Sequence, residues 1–154
     1  MIAWRIAKAK HGAGIDGTSG LHADGRWHSK GTRVCHAAAN VALAMLEIRV
    51  HVNSLADLPV DYCLYRFAFS DTAPMLRIEE ADLPAGWRKN VSATRAIGDN
   101  AYRTQRALIL DVPSVIVPLD RNLIVLGNHP AIGTVDVADM GSISLDDRLF
   151  AADR

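Results

Sequence analysis

The chain has little of what marks several large classes of protein. Its two cysteines, Cys35 and Cys63, form neither a CxxC motif nor a Cys/His cluster, and a chain of this length needs no disulfide scaffold. We therefore expect two reduced thiols in the core of a cytoplasmic protein. No stretch reaches the ~18 apolar residues of a membrane span, and the amino terminus lacks a basic region followed by an apolar run. The sequence thus predicts neither membrane insertion nor secretion.

Net charge is also absent. The 17 lysines and arginines balance 17 aspartates and glutamates, and the basic residues are scattered along the chain. Such a chain lacks the basic patch of a protein that binds nucleic acid or anionic lipid, so we expect no direct nucleic-acid partner. Apolar residues make up 49% of the 154 positions, which is enough for one core. Residues 1–154 are therefore predicted to form a single domain without a linker.

Periodicity and turn residues predict a mixed fold. Two helices are expected, over 37–51 and over 92–106, the second interrupted at Gly98. The predicted strands are rich in β-branched and aromatic residues and cover 2–9, 33–36, 62–69, 73–78, 107–110, 115–117, 123–126 and 134–137. Because strands outnumber helices and cluster late in the chain, we predict an α+β fold with a curved, mainly antiparallel sheet.

The glycine-rich segment over 11–30 contains a misleading motif. Gly12, Gly14 and Gly17 match the GxGxxG pattern of dinucleotide-binding folds. That pattern requires an apolar helix to begin at once, followed by an acidic residue about 20 positions later at the end of a second strand. Residues 18–25 cannot form such a helix. We therefore interpret the segment as a flexible loop.

The first predicted helix carries one carboxylate, Glu47, in nearly apolar company. At about 100° per residue, Asn40, Glu47 and His51 fall on one stripe of that helix. The stripe resembles a polar seam in a mostly buried helix. Burying a carboxylate without partners costs several kcal/mol. A chain that retains Glu47 there either pairs it or uses it, so Glu47 is the first candidate for chemistry.

Two further segments are candidates for a site. Arg26 and Trp27 lie between two glycines immediately before the strand that leads to the Glu47 helix, which is typical of a binding loop. The alternative is an ordinary turn whose tryptophan fills the core. Ser114 places one hydroxyl inside a β-rich run, where most serines have only a structural role.

Together these segments resemble the RES-domain toxins, which are named for an arginine, a glutamate and a serine. The motifs that carry the resemblance are Trp4-Arg-Ile6, Gly25-Arg-Trp27, Ala42-Leu-Ala-Met-Leu-Glu47 with His51, Val112-Pro-Ser114, Asn122-Leu123, Asn128-His-Pro130 and Asp147-Arg-Leu149. The resemblance implies a bacterial type II toxin–antitoxin system, a fold similar to ADP-ribosyltransferase toxins, NAD as substrate, no metal, and an Xre-type antitoxin as partner.

The resemblance also assigns roles to residues. Glu47 would stabilise the cationic ribosyl centre left when nicotinamide departs, and arginines would bind the pyrophosphate through paired hydrogen bonds. The expected catalytic residues are Glu47, Arg26 and His36. The expected NAD-binding residues are Arg5, Arg26, Trp27, His36, Ser114 and Asn122. Asn40 and His51 are expected to contact these site residues without contacting NAD.

Two positions depart from the family pattern. His36 stands where the family usually has a tyrosine, and His28 where it usually has an asparagine. An imidazole stacks and hydrogen-bonds as a phenol does, but it also titrates near neutral pH. We therefore expect an altered pH dependence.

Three questions stay open at this level. The ADP-ribose acceptor is either water or phosphate, which would deplete NAD, or a protein side chain. A metal-dependent hydrolase is an alternative, although no HExxH motif is present; its ligands would be His28, His36, His51, His129 and Glu47. A non-catalytic binding module is the other alternative, in which Glu47 forms a buried ion pair with Arg26.

Overall fold

The computed structural model describes residues 1–52 and 61–149. Residues 53–60 and 150–154 of the predicted domain, 1–154, lie outside the described residues. In the described segments seven strands and two α-helices occur. The strands are β1 (Ile2–Lys8), β2 (Val34–Ala38), β3 (Tyr62–Ala68), β4 (Met75–Arg77), β5 (Ile109–Pro113), β6 (Arg121–Leu126) and β7 (Asp136–Ser142); the helices are α1 (Val41–His51) and α2 (Val91–Thr104).

The strands form one sheet in the order β4-β5-β6-β2-β1-β3-β7. Every neighbouring pair is antiparallel except β4 and β5, which are parallel. The predicted α+β fold with a mainly antiparallel sheet is therefore confirmed. Trp4, Ala38 and Asn122 lie in one row across β1, β2 and β6. Over the described segments, neither helix is long and apolar enough to cross a membrane.

The central strands bury side chains on both faces. Ile109 and Val125 pack in one apolar cluster, whereas Leu110 and Ile124 pack in another, as expected because successive strand residues point to opposite faces. This double burial explains the unbroken apolar runs in the last third of the sequence. Both cysteine thiols are free; Cys35 is buried in the core as predicted, whereas Cys63 is only half-buried.

The first helix begins later than predicted. Ala37 and Ala38 complete β2 by pairing with β6, and the helix starts at Val41, with Asn40 as its N-cap. The Asn40 Oδ1 atom accepts a hydrogen bond from the Leu43 amide at 2.8 Å, which satisfies one of the unpaired donors of the first turn. Only two side chains of α1 are buried, so the prediction of a mostly buried helix is wrong.

The interruption predicted at Gly98 does not occur, because α2 continues through it. A Cβ atom at this position would lie 1.7 Å from the carbonyl oxygen of Trp27. Glycine therefore lets the helix backbone contact the loop that carries Arg26 and Trp27. The glycine marks a close approach of two backbones and not a helix break.

The strand predicted over 115–117 is also absent. The hydroxyl of Ser114 accepts hydrogen bonds from the amides of Ile116 and Val117, each at 3.1 Å. These bonds fold the chain into the connection between β5 and β6. Local side-chain bonding of this kind competes with strand pairing, and it outweighs the β propensity of the three apolar residues.

We expect Gly98→Ala to destabilise the protein by about 1–3 kcal/mol, the usual cost of overpacking. The added methyl group would collide with the Trp27 carbonyl, and the better helix propensity of alanine offsets only part of that cost. Urea denaturation followed by circular dichroism measures the change. Gly133→Ala is the matched control, because a Cβ atom there meets nothing within 4 Å. Equal stability of the two variants would contradict the close approach.

Candidate functional site

A cavity of ≈ 700 Å³ opens beside the row of residues that crosses β1, β2 and β6. Its size lies within the range of about 300–1,000 Å³ that is typical of small-molecule and cofactor sites. Its walls come from these strands, from α1, from the start of α2 and from the loop over 24–27. The predicted site residues that line it are Arg5, Arg26, Trp27, His36, Glu47, His51 and Asn122.

Glu47 lies half-buried on α1 at the cavity wall. Its Oε1 atom accepts a hydrogen bond of 2.6 Å from Nδ2 of Asn122 on β6. The opposite amide orientation would place two oxygens together, so the carboxylate itself fixes the side chain of Asn122. Oε2 of Glu47 has no hydrogen-bond donor among the described residues, which leaves it available to a ligand.

Asn122 also presents an unsatisfied polar atom. Its Oδ1 is buried and has no hydrogen-bond partner within the described residues. Leaving a buried acceptor unpaired costs roughly 1–3 kcal/mol. The cavity wall therefore contains a polar group that a donor from a ligand would satisfy.

Arg26 is held over the cavity by its backbone. Thr94 on α2 donates its hydroxyl hydrogen to the Arg26 carbonyl at 2.9 Å, whereas the guanidinium donates to the Trp87 carbonyl at 3.5 Å and to no other described residue. Burial lowers the pKa of Arg26, and the negative charge of Glu47 acts in the opposite direction. No ion pair joins Arg26 to Glu47 or to any other described carboxylate within 4.0 Å, so the binding-module alternative lacks its ion pair.

Arg5 lies in the gap where β1 and β2 diverge. These strands share one pair of facing residues, Trp4 and Ala38, and next to it Nη1 of Arg5 donates to the His36 carbonyl at 2.7 Å. The Arg5 Nε atom is buried without a partner. Within the described chain Arg5 has no carboxylate within 4.0 Å, so it is a second cation at the cavity without a fixed counter-charge.

His36 on β2 also faces the cavity. Burial is the main cause that lowers its pKa to about 3, and repulsion from His28, Arg5 and His51 adds to the effect whenever those groups are charged. The expectation that His36 titrates near neutral pH is therefore wrong, since the ring is neutral there. Trp27 is buried in the core, where it packs against Trp87 with 6.3 Å between the ring centres, and it also lines the cavity.

Two predicted residues, Ser114 and Asn40, lie away from the cavity, and His51 lies at its edge. Ser114 is buried and does not line the cavity; its hydroxyl is used in the turn after β5. Asn40 caps α1 and donates to Oδ2 of Asp120 at 2.8 Å, which fixes the helix start to β6. His51 lies exposed at the end of α1 and borders the cavity there.

Sequence reasoning missed an ion pair that shapes the cavity. Arg95 on α2 lies 3.7 Å from Asp24, and its Nε atom donates to the Gly25 carbonyl at 3.0 Å. Both contacts fix the loop before Arg26 to α2. Because the partners are far apart in the chain, no local pattern could have indicated this pair.

The metal-hydrolase alternative receives no support from the ligand arrangement. Over residues 1–52 and 61–149, no three side chains of histidine, cysteine, aspartate or glutamate converge in a group that could hold a metal ion. His129 instead caps a short 3-10 helix, where its Nδ1 atom accepts from the Ala131 amide at 3.1 Å.

Comparison with known families identifies the chain. Residues 2–146 match the RES domain, and the protein belongs to the RES domain family. It is similar to Toxin Res of Pseudomonas putida, with 35% identity over 97% of this chain and 100% of that protein. It is also similar to the Prs ADP-ribosylating toxin of a Sphingobium species, with 36% identity over 82% of this chain and 83% of that protein.

A solved structure has the same fold. The crystal structure of the M. tuberculosis MbcT–MbcA toxin–antitoxin complex contains a chain that superposes with a TM-score of 0.65. The match covers 90% of this chain and 83% of that chain, at 15% identity. At that identity the likeness establishes the fold alone.

The lowered pKa of His36 predicts acid sensitivity of the folded state. The folded protein binds fewer protons here than the unfolded chain, whose histidine has a pKa near 6.5. The neutral ring therefore contributes full stability above about pH 6.5, and that contribution is lost as the pH falls toward 3. We expect the urea midpoint to fall between pH 7 and pH 4.5, and to fall less in His36→Gln. An equal fall of the urea midpoint with pH in both proteins would contradict the assignment of this acid sensitivity to His36.

Proposed function

We propose that this protein is the toxin of a type II toxin–antitoxin system and that it cleaves the nicotinamide–ribose bond of NAD. The carrying observation is the cavity itself. Glu47 presents a free carboxylate oxygen there, while Arg26 and Arg5 line the same space without a described carboxylate partner. A fixed carboxylate and two guanidinium groups without a described counter-ion are complementary to a dinucleotide, which carries two phosphates and whose reacting centre becomes positive.

The chemistry needs little proton transfer. When the bond between ribose C1′ and the nicotinamide nitrogen breaks, its electron pair leaves with the ring, which departs as a neutral base. Positive charge then develops on the ribosyl group, and the Glu47 carboxylate would stabilise it. The acceptor oxygen or nitrogen bonds to C1′ and releases its proton. Asn122 would keep the carboxylate in place, because it donates to Oε1 and leaves Oε2 for the substrate.

The two arginines would hold the pyrophosphate. A guanidinium forms two parallel hydrogen bonds with phosphate oxygens, and such charged bonds strengthen in a cavity shielded from water. Trp27 and His36 would contact the flat nicotinamide or adenine ring. Residues 1–154 would then act as one NAD-binding catalytic domain, in the cytoplasm, under the control of an Xre-type antitoxin. The toxin–antitoxin complex that shares the fold supports an antitoxin partner; its Xre type comes from the family resemblance.

We expect the purified protein, freed of antitoxin, to release nicotinamide from NAD. Glu47→Gln should lower the rate by about 10²–10³-fold or more, because it removes the charge opposite the ribosyl cation. The Asn122 hydrogen bond survives the change, since a glutamine oxygen still accepts it. Chromatography of nicotinamide measures the rate, and circular dichroism checks the fold.

The control for this experiment is Glu80→Gln, which changes an exposed glutamate outside the cavity that pairs with Arg88. It should keep nearly full activity. A folded wild type that leaves NAD intact would refute the enzyme proposal. Stoichiometric zinc in the purified protein would instead favour the hydrolase alternative.

Arg26→Lys should separate charge from geometry. Lysine keeps the positive charge but cannot form two parallel bonds to a phosphate. We expect kcat/KM for NAD to fall about 10–100-fold, mostly through KM, which corresponds to one charged hydrogen bond. Arg103→Lys is the matched control, because Arg103 is exposed on α2 and away from the cavity. An unchanged KM in Arg26→Lys would argue against pyrophosphate binding at this residue.

The acceptor requires a separate experiment. NAD labelled on the adenylate phosphate is incubated with the protein and a cell lysate. Label that moves to a protein band identifies mono-ADP-ribosylation. Label that stays in small molecules identifies transfer to water or phosphate, and hence NAD depletion.

A further inference from the structure

The chemistry proposed above leaves one buried histidine without a role. His28 lies directly behind His36, with 5.1 Å between their ring centres and 54° between their planes. Only 5% of its surface is exposed, and it does not line the cavity, whereas His36 does. The two rings thus form an outer and an inner layer of the cavity wall.

Hydrogen bonds in this pair fix the position of each proton. Nε2 of His28 lies 3.2 Å from the carbonyl oxygen of Ala23. A carbonyl only accepts, so this nitrogen must carry the proton. Nδ1 of His28 lies 3.2 Å from Nε2 of His36. In a neutral His28 that Nδ1 is bare and accepts, and therefore Nε2 of His36 donates.

The charges around the rings favour their neutral forms. Burial is the largest effect, and it lowers the pKa of both histidines. The positive charge of Arg95 lowers the pKa of His28 further, while the Ala23 carbonyl and the carboxylates of Asp99 and Asp24 act against burial. Arg5 adds positive charge on the side of His36. A second proton on either ring would meet these cations.

The loop holds His28 in one orientation. A Cβ atom on Gly25 would lie 2.2 Å from Cε1 of His28, so the glycine provides the space for the ring. The Gly25 amide donates to the His28 carbonyl at 2.9 Å, and the next residue, Ser29, bonds Asp99 on α2 through its amide at 2.7 Å. These contacts fix the backbone on both sides of His28, and a turn of the ring would break its bonds to Ala23 and His36.

We infer that His28 is a positioning residue that holds His36 as its Nε2–H tautomer, so that His36 offers the cavity ligand an unprotonated Nδ1. This nitrogen has no hydrogen-bond partner among the described residues. It accepts a hydrogen bond from an N–H or O–H group and cannot donate one. Only the identity of the ligand rests on the proposed function. In NAD, the carboxamide and the ribose hydroxyls are the donors nearest the bond that breaks.

The tautomer is tested without any ligand. Two-bond proton–nitrogen NMR spectra of the full ¹⁵N-labelled chain at pH 7 distinguish protonated from bare ring nitrogens, and the signals lost in His36→Gln assign this residue. We expect a protonated Nε2 and a bare Nδ1 on His36. His28→Leu removes the acceptor, so the proton should redistribute between the two nitrogens. His28→Asn returns an oxygen near the position of Nδ1 and should restore the wild-type pattern.

Kinetics provide the second readout. His28→Leu should lower kcat/KM for nicotinamide release about tenfold, the effect of one neutral hydrogen bond, and His28→Asn should recover most of it. His22→Leu, at an exposed histidine outside the cavity, should change neither measurement.

A proton on Nδ1 of His36 in the wild type would overturn the inference, and so would a wild-type tautomer together with wild-type kinetics in a folded His28→Leu. If His28→Leu does not fold, the spectra of the wild type and of His28→Asn still show which ring nitrogen of His36 carries the proton. A wild type that shows the expected tautomer but releases no nicotinamide would refute the proposed function and support the positioning role.

Discussion

The site depends on two hydrogen bonds that fix α1 to β6. Asn40 donates to Asp120 at the start of the helix, and Asn122 donates to Glu47 two turns further on. Asn40 is the N-cap, seven residues before Glu47, and Asp120 lies immediately before β6, two residues before Asn122. Leu43 and Ala44 of α1 pack in an apolar cluster with side chains of β1 and β2. The polar contacts, each worth about 1.5–3 kcal/mol where a carboxylate accepts, act together with this packing to position the helix.

This attachment also changes the meaning of the isolated carboxylate. A fully buried Glu47 would need a counter-ion, and Arg26 would be the obvious one. In the structure the helix is only half covered, and one oxygen of Glu47 takes a neutral amide donor. The carboxylate and the guanidinium of Arg26 therefore remain separate and unneutralised. Such an arrangement is poor for stability and well suited to binding.

Much of this was predictable from the sequence, and the errors have physical causes. The stripe of Asn40 and Glu47 was recognised from helical periodicity, although the helix starts later, because alanine has a high helix propensity and strand pairing overrides it at 37–38. The residues at 115–117 have strong β propensity, yet one hydroxyl, that of Ser114, turns the chain there. Arg26 was indicated by its place between two glycines in a predicted loop, whereas Arg5 entered through family resemblance alone, since an arginine without a partner has no local signature.

The neutral state of the two histidines completes the electrostatic balance of the cavity. Arg95 is compensated by Asp24. Arg5 and Arg26 remain as cations without a described carboxylate partner, and Glu47 on α1 supplies the negative charge. If NAD binds as we propose, its two phosphates face the two arginines and its positively charged ring faces Glu47. A third positive charge on His36 would oppose that ring and weaken the role of the carboxylate. Burial and the bond to His28 keep His36 neutral, so the cavity retains the charge pattern complementary to its proposed substrate.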